Sequence, residues 1–199
     1  MIIGLTGGIA SGKSTAATYL KSKGASVLDG DVLGHRAYEP HTQAYREVVA
    51  AFGPEVVAAD GAIDRKVLGG KVFGNPDALD RLTGILWPEI RRMAEAEIAA
   101  LLTEDPARPV VLEAAVLFEA GWEDAVDEVW VAIVDIEAAV ARAMERDGAD
   151  ETAIRNRIAS QLSNEERRRR ADIVIDNNGD EAMLRQQLDA QWARISPAS

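Results

Sequence analysis

The sequence contains no cysteine. That excludes a disulfide framework and any thiolate-ligated metal centre. Histidine is nearly absent too: His35 and His41 are too few for most zinc sites. No stretch is apolar enough to span a membrane, and the N-terminus reads as a core strand, not a signal peptide. A cytoplasmic protein with no membrane partner is expected. Positive charge is scarce, with 22 Lys and Arg against 33 Asp and Glu and a net charge of −11. That balance argues against nonspecific nucleic-acid binding, which needs a basic surface. A polyanionic substrate remains compatible if its positive contacts are local. Internal repeats and low-complexity linkers are also missing, and nothing in the pattern specifies an oligomeric state. What remains is a chain of 199 residues, long enough to bury a sizeable core as one domain with an insertion.

Against these absences stands one strong motif. Gly4-Leu5-Thr6-Gly7-Gly8-Ile9-Ala10-Ser11-Gly12-Lys13-Ser14-Thr15 fits G-x-x-x-x-G-K-[ST]. Its context fits as well. Met1 to Leu5 is a short apolar run that reads as a buried strand, and Lys13 to Lys23 turns helical with Ala16, Ala17 and Leu20 on one face. Glycines between a strand and a helix N-terminus let the backbone approach phosphate oxygens, which a side chain would hold off. The helix dipole and its unpaired N–H groups favour an anion there. Lys13 can reach the β and γ phosphates, and the Ser14 hydroxyl can ligate Mg²⁺. The stretch therefore reads as a nucleotide-binding P-loop.

Taken in order, the chain alternates strands and helices. Ser26 to Leu28 reads as a second strand, ending in Asp29-Gly30-Asp31. Ligands of open α/β sheets sit beyond the carboxyl ends of strands, so Asp29 and especially Asp31 are candidates to face phosphates. The alternative for either is a helix cap. Thr42 to Phe52 is amphipathic, Asp60-Gly61 is a turn signal, and Asp64 can cap a following helix. Asn75-Pro76 opens a long helical stretch in which Pro88 predicts a break or kink near Trp87. A crossover needs only about a dozen residues, yet roughly seventy separate the second strand from the third, which suggests an inserted subdomain for a large second substrate. One or two of its basic residues, among them Arg65, are candidates for acceptor phosphates.

Pro109 to Leu112 and Glu128 to Val134 read as the third and fourth strands. Asp135 is expected to cap a helix with Ile136, Ala139, Val140, Ala143 and Met144 inward. Arg142 and Arg146 share one face of it. Glu151 to Arg170 is helical and Arg-rich, as a mobile lid or a surface helix would be. The Arg167 to Arg170 run reads as solvated surface. Ile173 to Ile175, an Asn177-Asn178-Gly179 turn and a helix from Glu181 to Trp192 close the chain. The pattern implies α/β with a parallel sheet flanked by helices.

A P-loop alone does not separate kinase, GTPase and motor. None of Asn75, Asn156, Asn164, Asn177 and Asn178 is followed by lysine, so the guanine-reading Asn-Lys-x-Asp motif is missing. A small-metabolite kinase fits the length better. A phosphate acceptor needs only positive clamps, whereas a hydroxyl gains from a carboxylate that takes or aligns its proton. Asp31 is placed for that role, which points to an alcohol acceptor. Arg142 is the candidate for stabilising charge on the transferring group, with a helix-face salt bridge as the alternative.

With these residues in place the chain resembles the dephospho-CoA kinase family. The likeness runs from Gly4 to about Gly179. It takes in the P-loop, Leu28-Asp29-Gly30-Asp31, Phe52-Gly53, Asp60-Gly61-Ala62-Ile63-Asp64-Arg65, Val72-Phe73 and Leu117-Phe118-Glu119. It continues through Arg142, Glu145-Arg146-Asp147, Gln161 and Ala171 to Gly179. The resemblance implies a P-loop NTPase/kinase fold with a core (1–33, 109–147 and 171–199), a helical substrate-binding insertion (about 34–108) and a lid (about 148–170). It implies ATP-dependent phosphorylation of the ribose 3′-hydroxyl of dephospho-CoA, with Mg²⁺ as cofactor.

By position, Ala10, Ser11, Gly12, Lys13, Ser14 and Thr15 bind ATP, and Asn177 lies near the adenine. Thr6, Lys13, Asp31 and Arg142 make the reacting centre, and Ser14 holds Mg²⁺, with Asp31 as a second partner through water. Arg65, Phe73 and Trp87 fall on the acceptor side. Departures are Trp87-Pro88 for the family's His-Pro, Ala115-Val116-Leu117 for Pro-Leu-Leu, and Gly30 for alanine. The first two look more like the kinase domain of eukaryotic CoA synthase. An indole cannot do imidazole's proton chemistry, but it can stack on an adenine or, the preferred reading, pack in the core. Starting at its P-loop strand, the chain is expected to carry no fused upstream domain. The rivals are a kinase of a compact alcohol and a nucleotide-binding regulator without turnover.

Overall fold

Runs of four to six residues form the sheet, and α-helices join them in sequence except between the third and fourth strands, which a turn-rich stretch links. In this computed structural model residues 1–196 are described; residues 197–199, assigned above to the core, lie outside them. The first elements are β1 (Ile2–Gly7), α1 (Lys13–Ser22) and β2 (Ser26–Asp29). Next come α2 (Gly30–Ala37), α3 (Gln43–Phe52), α4 (Arg65–Val72) and α5 (Pro76–Glu104). The chain then runs through β3 (Val110–Glu113), β4 (Glu128–Ile133), α6 (Ile136–Asp147), α7 (Glu151–Ala159), α8 (Asn164–Arg170), β5 (Ile173–Asp176) and α9 (Glu181–Ile195). The described chain divides into two compact units: Met1–Asp29 with the chain from Ile98, and Gly30–Glu97.

The first unit holds the whole sheet, in the order β2-β3-β1-β4-β5 with every pairing parallel. β1 is central because its apolar residues are covered on both faces: Ile3 and Leu5 are fully buried. One layer of the core joins Ile3, Leu5 and Trp130 of the sheet to Ala16 and Leu20 of α1 and Leu184 and Leu188 of α9. Trp130 is fully buried and donates its indole N–H to Glu128 Oε2 at 2.9 Å, so the ring's polar atom is satisfied. Cutting such a residue back to alanine costs about 3–5 kcal/mol. Helix α6 differs from expectation. Ala139, Val140 and Ala143 are buried, but Ile136 is 54% and Met144 39% exposed. Ile136 is the first residue of the helix, and Met144 stands at the edge of the stripe, one turn beyond Val140.

Gly30–Glu97 is helical and has its own core, in which Val48, Phe52, Val56, Ile63 and Leu68 meet. Its helix starts are written in sequence. Thr42 Oγ1 accepts from the Tyr45 N–H, and Asp64 accepts from the N–H groups of Lys66 and Val67. Asp60-Gly61 makes the expected turn, closed by an antiparallel bridge between Val57 and Ile63. The break expected at Pro88 does not occur: α5 runs unbroken through it. Leu82, Ile85 and Leu86 pack before the proline and Ile90 and Ala94 are buried after it, so burial on both sides outweighs one lost backbone hydrogen bond.

Candidate active site

Gly8 to Gly12 form the turn between β1 and α1. The Ser11 N–H reaches the Gly8 carbonyl at 3.2 Å, and Ala10 takes a positive φ of 54°. Gly12, at φ 89°, caps α1 without any side-chain hydrogen bond, and the first turn carries no acidic residue. The positive end of the helix is thus left to an external anion. Two glycines are required by contact. A Cβ on Gly12 would lie 2.1 Å from Asn177 Nδ2, and one on Gly7 would lie 2.4 Å from Ser11 Oγ and 2.5 Å from the Ala132 carbonyl.

Glu113, the last residue of β3 and in register with Leu5 of β1, lies beneath the start of α1. Its Oε1 accepts from Lys13 Nζ at 2.6 Å and from Ser14 Oγ at 2.7 Å. Only 9% of this residue is exposed, so its charge is offset chiefly by Lys13. The expected site residues did not include it. A sequence signal existed: an acid at the carboxyl end of a strand, where ligands of such sheets gather.

Asn177 sits in the turn after β5 and is buried. Its Nδ2 donates to the Ser11 carbonyl at 2.9 Å, and its own carbonyl accepts from Arg142 Nη2 at 3.0 Å. Arg142 is thereby held beside the loop, while Arg146 on the next turn pairs with Asp147 at the surface. Thr6 is buried below the loop, with Oγ1 3.5 Å from the Ala115 carbonyl, a weak contact. Thr15 is exposed on α1. The segment between α7 and α8 also touches the loop, since Gln161 Oε1 accepts from the Ile9 N–H at 3.0 Å.

Arg167 corrects a sequence expectation. It is 3% exposed, not solvated surface, because α8 turns this one member of the run inward. Its Nη1 donates to the Leu162 carbonyl and its Nη2 lies 4.0 Å from Glu119 Oε1. Burial lowers the guanidinium's pKa from its ordinary value, against the raising effect of Glu119. Arg168 and Arg169 form surface pairs, as solvated residues do, whereas half-buried Arg170 pairs with Glu123 and lies over the Phe118 ring. Arg167 and Ser11 line a cavity of about 210 Å³ with Val134, Ile136, Ala139, Ile158 and Leu162.

The structure therefore gathers Lys13, Ser14, Ser11, Asn177 and Arg142 around one loop. Asp31 and the expected acceptor-side residues belong to Gly30–Glu97. Asp31 is exposed in the first turn of α2, two residues after β2 ends. Arg65 is exposed in the first turn of α4. Phe73 is 90% exposed. Trp87 is half-buried, so the expected core packing is only partial. Among the described residues no cluster of three or more His, Cys, Asp or Glu could hold a metal. Mg²⁺ does not need one, since it is commonly held by one or two protein oxygens with substrate phosphates. The Ser14 hydroxyl and Glu113 carboxylate, adjacent through their hydrogen bond, supply such oxygens.

A five-stranded parallel sheet carrying this glycine loop, with Lys13 and Ser14 opening an uncapped helix, defines a P-loop kinase fold. The family model for dephospho-CoA kinase (CoaE) matches residues 1–182. The dephospho-CoA kinase of Geobacter sulfurreducens is 46% identical over 196 residues, covering 98% of this chain and 99% of its own. Among solved structures, a protein from Thermus thermophilus matches with a TM-score of 0.83 at 37% identity, covering 99% of this chain and 98% of its own. The dephospho-CoA kinase from Campylobacter jejuni matches at 0.74 and 28%, covering 98% and 96%. The chain belongs to the dephospho-CoA kinase family.

Proposed function

We propose that this protein transfers the γ-phosphoryl group of ATP to the ribose 3′-hydroxyl of dephospho-CoA, giving coenzyme A and ADP in the last step of CoA biosynthesis. The observation that carries this is the glycine loop on the uncapped start of α1, with Lys13 and Ser14, in a chain of this family. Phosphoryl transfer asks little covalent chemistry of the protein; it asks for alignment and for positive charge where the phosphoryl oxygens crowd. The backbone N–H groups from Ala10 to Thr15 cradle the phosphates and Lys13 contacts the β and γ groups. Asn177 keeps the loop in shape, and its turn lies near the adenine. Thr6 belongs to the reacting centre from beneath the loop. Ser14, with Asp31 behind water, would hold the Mg²⁺ that accompanies ATP, and that ion would supply charge neutralisation at the phosphates. Arg142 stabilises the phosphoryl group in flight.

Asp31 accepts or aligns the proton of the acceptor hydroxyl, the work a carboxylate does for an alcohol and not for a phosphate. The helical insertion at about 34–108 receives the acceptor, with Arg65 on its phosphates and Phe73 and Trp87 against its apolar and adenine parts. Residues of about 148–170 act as the lid. With ATP as donor, the work belongs to the cytoplasm.

Coupled ADP release with ATP and Mg²⁺ tests this, offering dephospho-CoA, adenosine or gluconate to wild type and to Asp31→Asn. Turnover is expected with dephospho-CoA alone. Asp31→Asn should lose about 10²–10⁴-fold in kcat while still binding ATP. Equal turnover of the compact alcohols would make the protein a different kinase, and near-normal turnover by Asp31→Asn would remove the base.

A further inference from the structure

Beside the phosphate loop lies the cavity of about 210 Å³. Ile9 and Ser11 of the loop form one side of it, and Val134, Ala139, Ile158 and Leu162 make most of the rest apolar. Lys13, Ser14, Arg142 and Asn177 are not among its lining residues, so it is distinct from the phosphate cradle. Among the described residues, Arg167 brings the only full charge to this lining.

Two polar atoms of the lining residues are buried without a hydrogen-bond partner among the described residues: Ser11 Oγ and Arg167 Nη2. Each has given up water without a replacement, which is costly. The other polar side chains of the lining are engaged. Gln161 Oε1 accepts from the Ile9 N–H, Asn164 Nδ2 donates to the Val134 carbonyl, and Ser163 Oγ accepts from the Glu166 N–H. Glu119 offsets part of the Arg167 charge, but at 4.0 Å from Nη2 it is beyond hydrogen-bond reach. A guanidinium only donates, so its missing partner must accept, and a buried positive charge favours an acceptor that is negative. A carboxylate meets both needs and brings a second oxygen to which the Ser11 hydroxyl can donate. The apolar walls call for an apolar body behind it, and a cavity of about 150 Å³ already holds benzene.

We propose that this cavity is a binding site for a small monocarboxylate with a compact apolar body. Its carboxylate lies on Arg167 and Ser11 and its body against Val134, Ala139, Ile158 and Leu162. The site is additional to those of ATP and the acceptor, and it does not rest on the reaction proposed above.

Titration calorimetry on the full chain tests it, with benzoate as the probe and benzamide as its uncharged counterpart of similar shape. Wild type should bind one benzoate, and benzamide at least about tenfold more weakly. Arg167→Met keeps the bulk of the side chain and removes its charge. It should weaken benzoate by at least about tenfold and bring the two probes together. Ala139→Leu, which grows into the cavity from α6, should weaken both probes alike. Lys13→Ala should leave benzoate affinity within about twofold, because Lys13 does not line the cavity. No binding at about 10 mM benzoate overturns the proposal and leaves the cavity to water. Equal wild-type affinity for the two probes removes the carboxylate and overturns it too. Benzoate lost in Lys13→Ala, or untouched by Ala139→Leu, places the probe elsewhere and overturns the site. The benzamide comparison needs no variant, so it decides the matter even if Arg167→Met does not fold.

Discussion

Around the P-loop the polar side chains are inside. Thr6, Ser11, Glu113, Arg167 and Asn177 are each at most 9% exposed, and all belong to the unit that holds the sheet. In Gly30–Glu97 the buried side chains among the described residues are apolar, while large apolar ones such as Phe73 and Leu79 are exposed. Buried polar groups tolerate little displacement, since each loses a partner it cannot replace from water. A site built that way keeps one geometry, which suits chemistry on a phosphoryl group. An apolar core with exposed apolar residues holds a surface without fixing every contact on it, which suits a large acceptor. Under the proposed function, the phosphate-binding loop belongs to the first of these settings, and Arg65, Phe73 and Trp87, the proposed acceptor residues, belong to the second.

The sharpest way to break that contrast is Lys13→Ala. If Lys13 contacts the transferring group as proposed, its removal should cost about 10²–10³-fold in kcat, read by coupled ADP release. Its melting temperature should fall too, because Glu113 would keep Ser14 and lose its counter-charge. Loss of melting temperature without loss of rate would show that the buried pair is structural only.

Two glycines compare the units directly. Gly12 has φ 89° and Asn177 Nδ2 in the way of a Cβ; Gly74 has φ 75° and nothing within 4 Å. Gly74→Ala should cost only the left-handed backbone penalty of about 1–2 kcal/mol and leave ATP affinity unchanged. Gly12→Ala should cost more than that in denaturant melts, and ATP affinity should drop, because the loop or Asn177 must move. Equal losses in both would mean that the loop is less constrained than its packing implies.

The smallest effect is expected from Phe73→Ala. An exposed residue contributes little to folding, so the melting temperature should hold within the equivalent of about 0.5 kcal/mol. The KM for dephospho-CoA should rise while the KM for ATP stays put. An unchanged acceptor KM would take Phe73 out of the acceptor surface.

The parallel sheet was legible because its strands are short apolar runs and the connections between them are helical in period. The loop was legible because the phosphate-binding role needs glycine, lysine and serine at fixed spacing along one local segment. Helix starts at Thr42 and Asp64 were legible for the same reason, since a cap reaches only two or three residues. Pro88 misled because a local rule about backbone hydrogen bonding was overridden by burial of neighbours on both sides. The Arg167 to Arg170 run misled in the other direction: four adjacent arginines look alike in sequence, and only the rotation of α8 turns Arg167 inward.

By itself, then, the sequence determined the P-loop, the order of the strands, and the family, all of which rest on contacts between residues near in the chain or on an ordered series of motifs. The tertiary structure alone decided that Glu113 holds Lys13 and Ser14, that Asn177 braces Ser11 and carries Arg142, and that Gln161 ties the segment before α8 to the loop. Most of these contacts join residues a hundred or more positions apart, and they become neighbours only when parallel strands bring their carboxyl ends to one edge of the sheet.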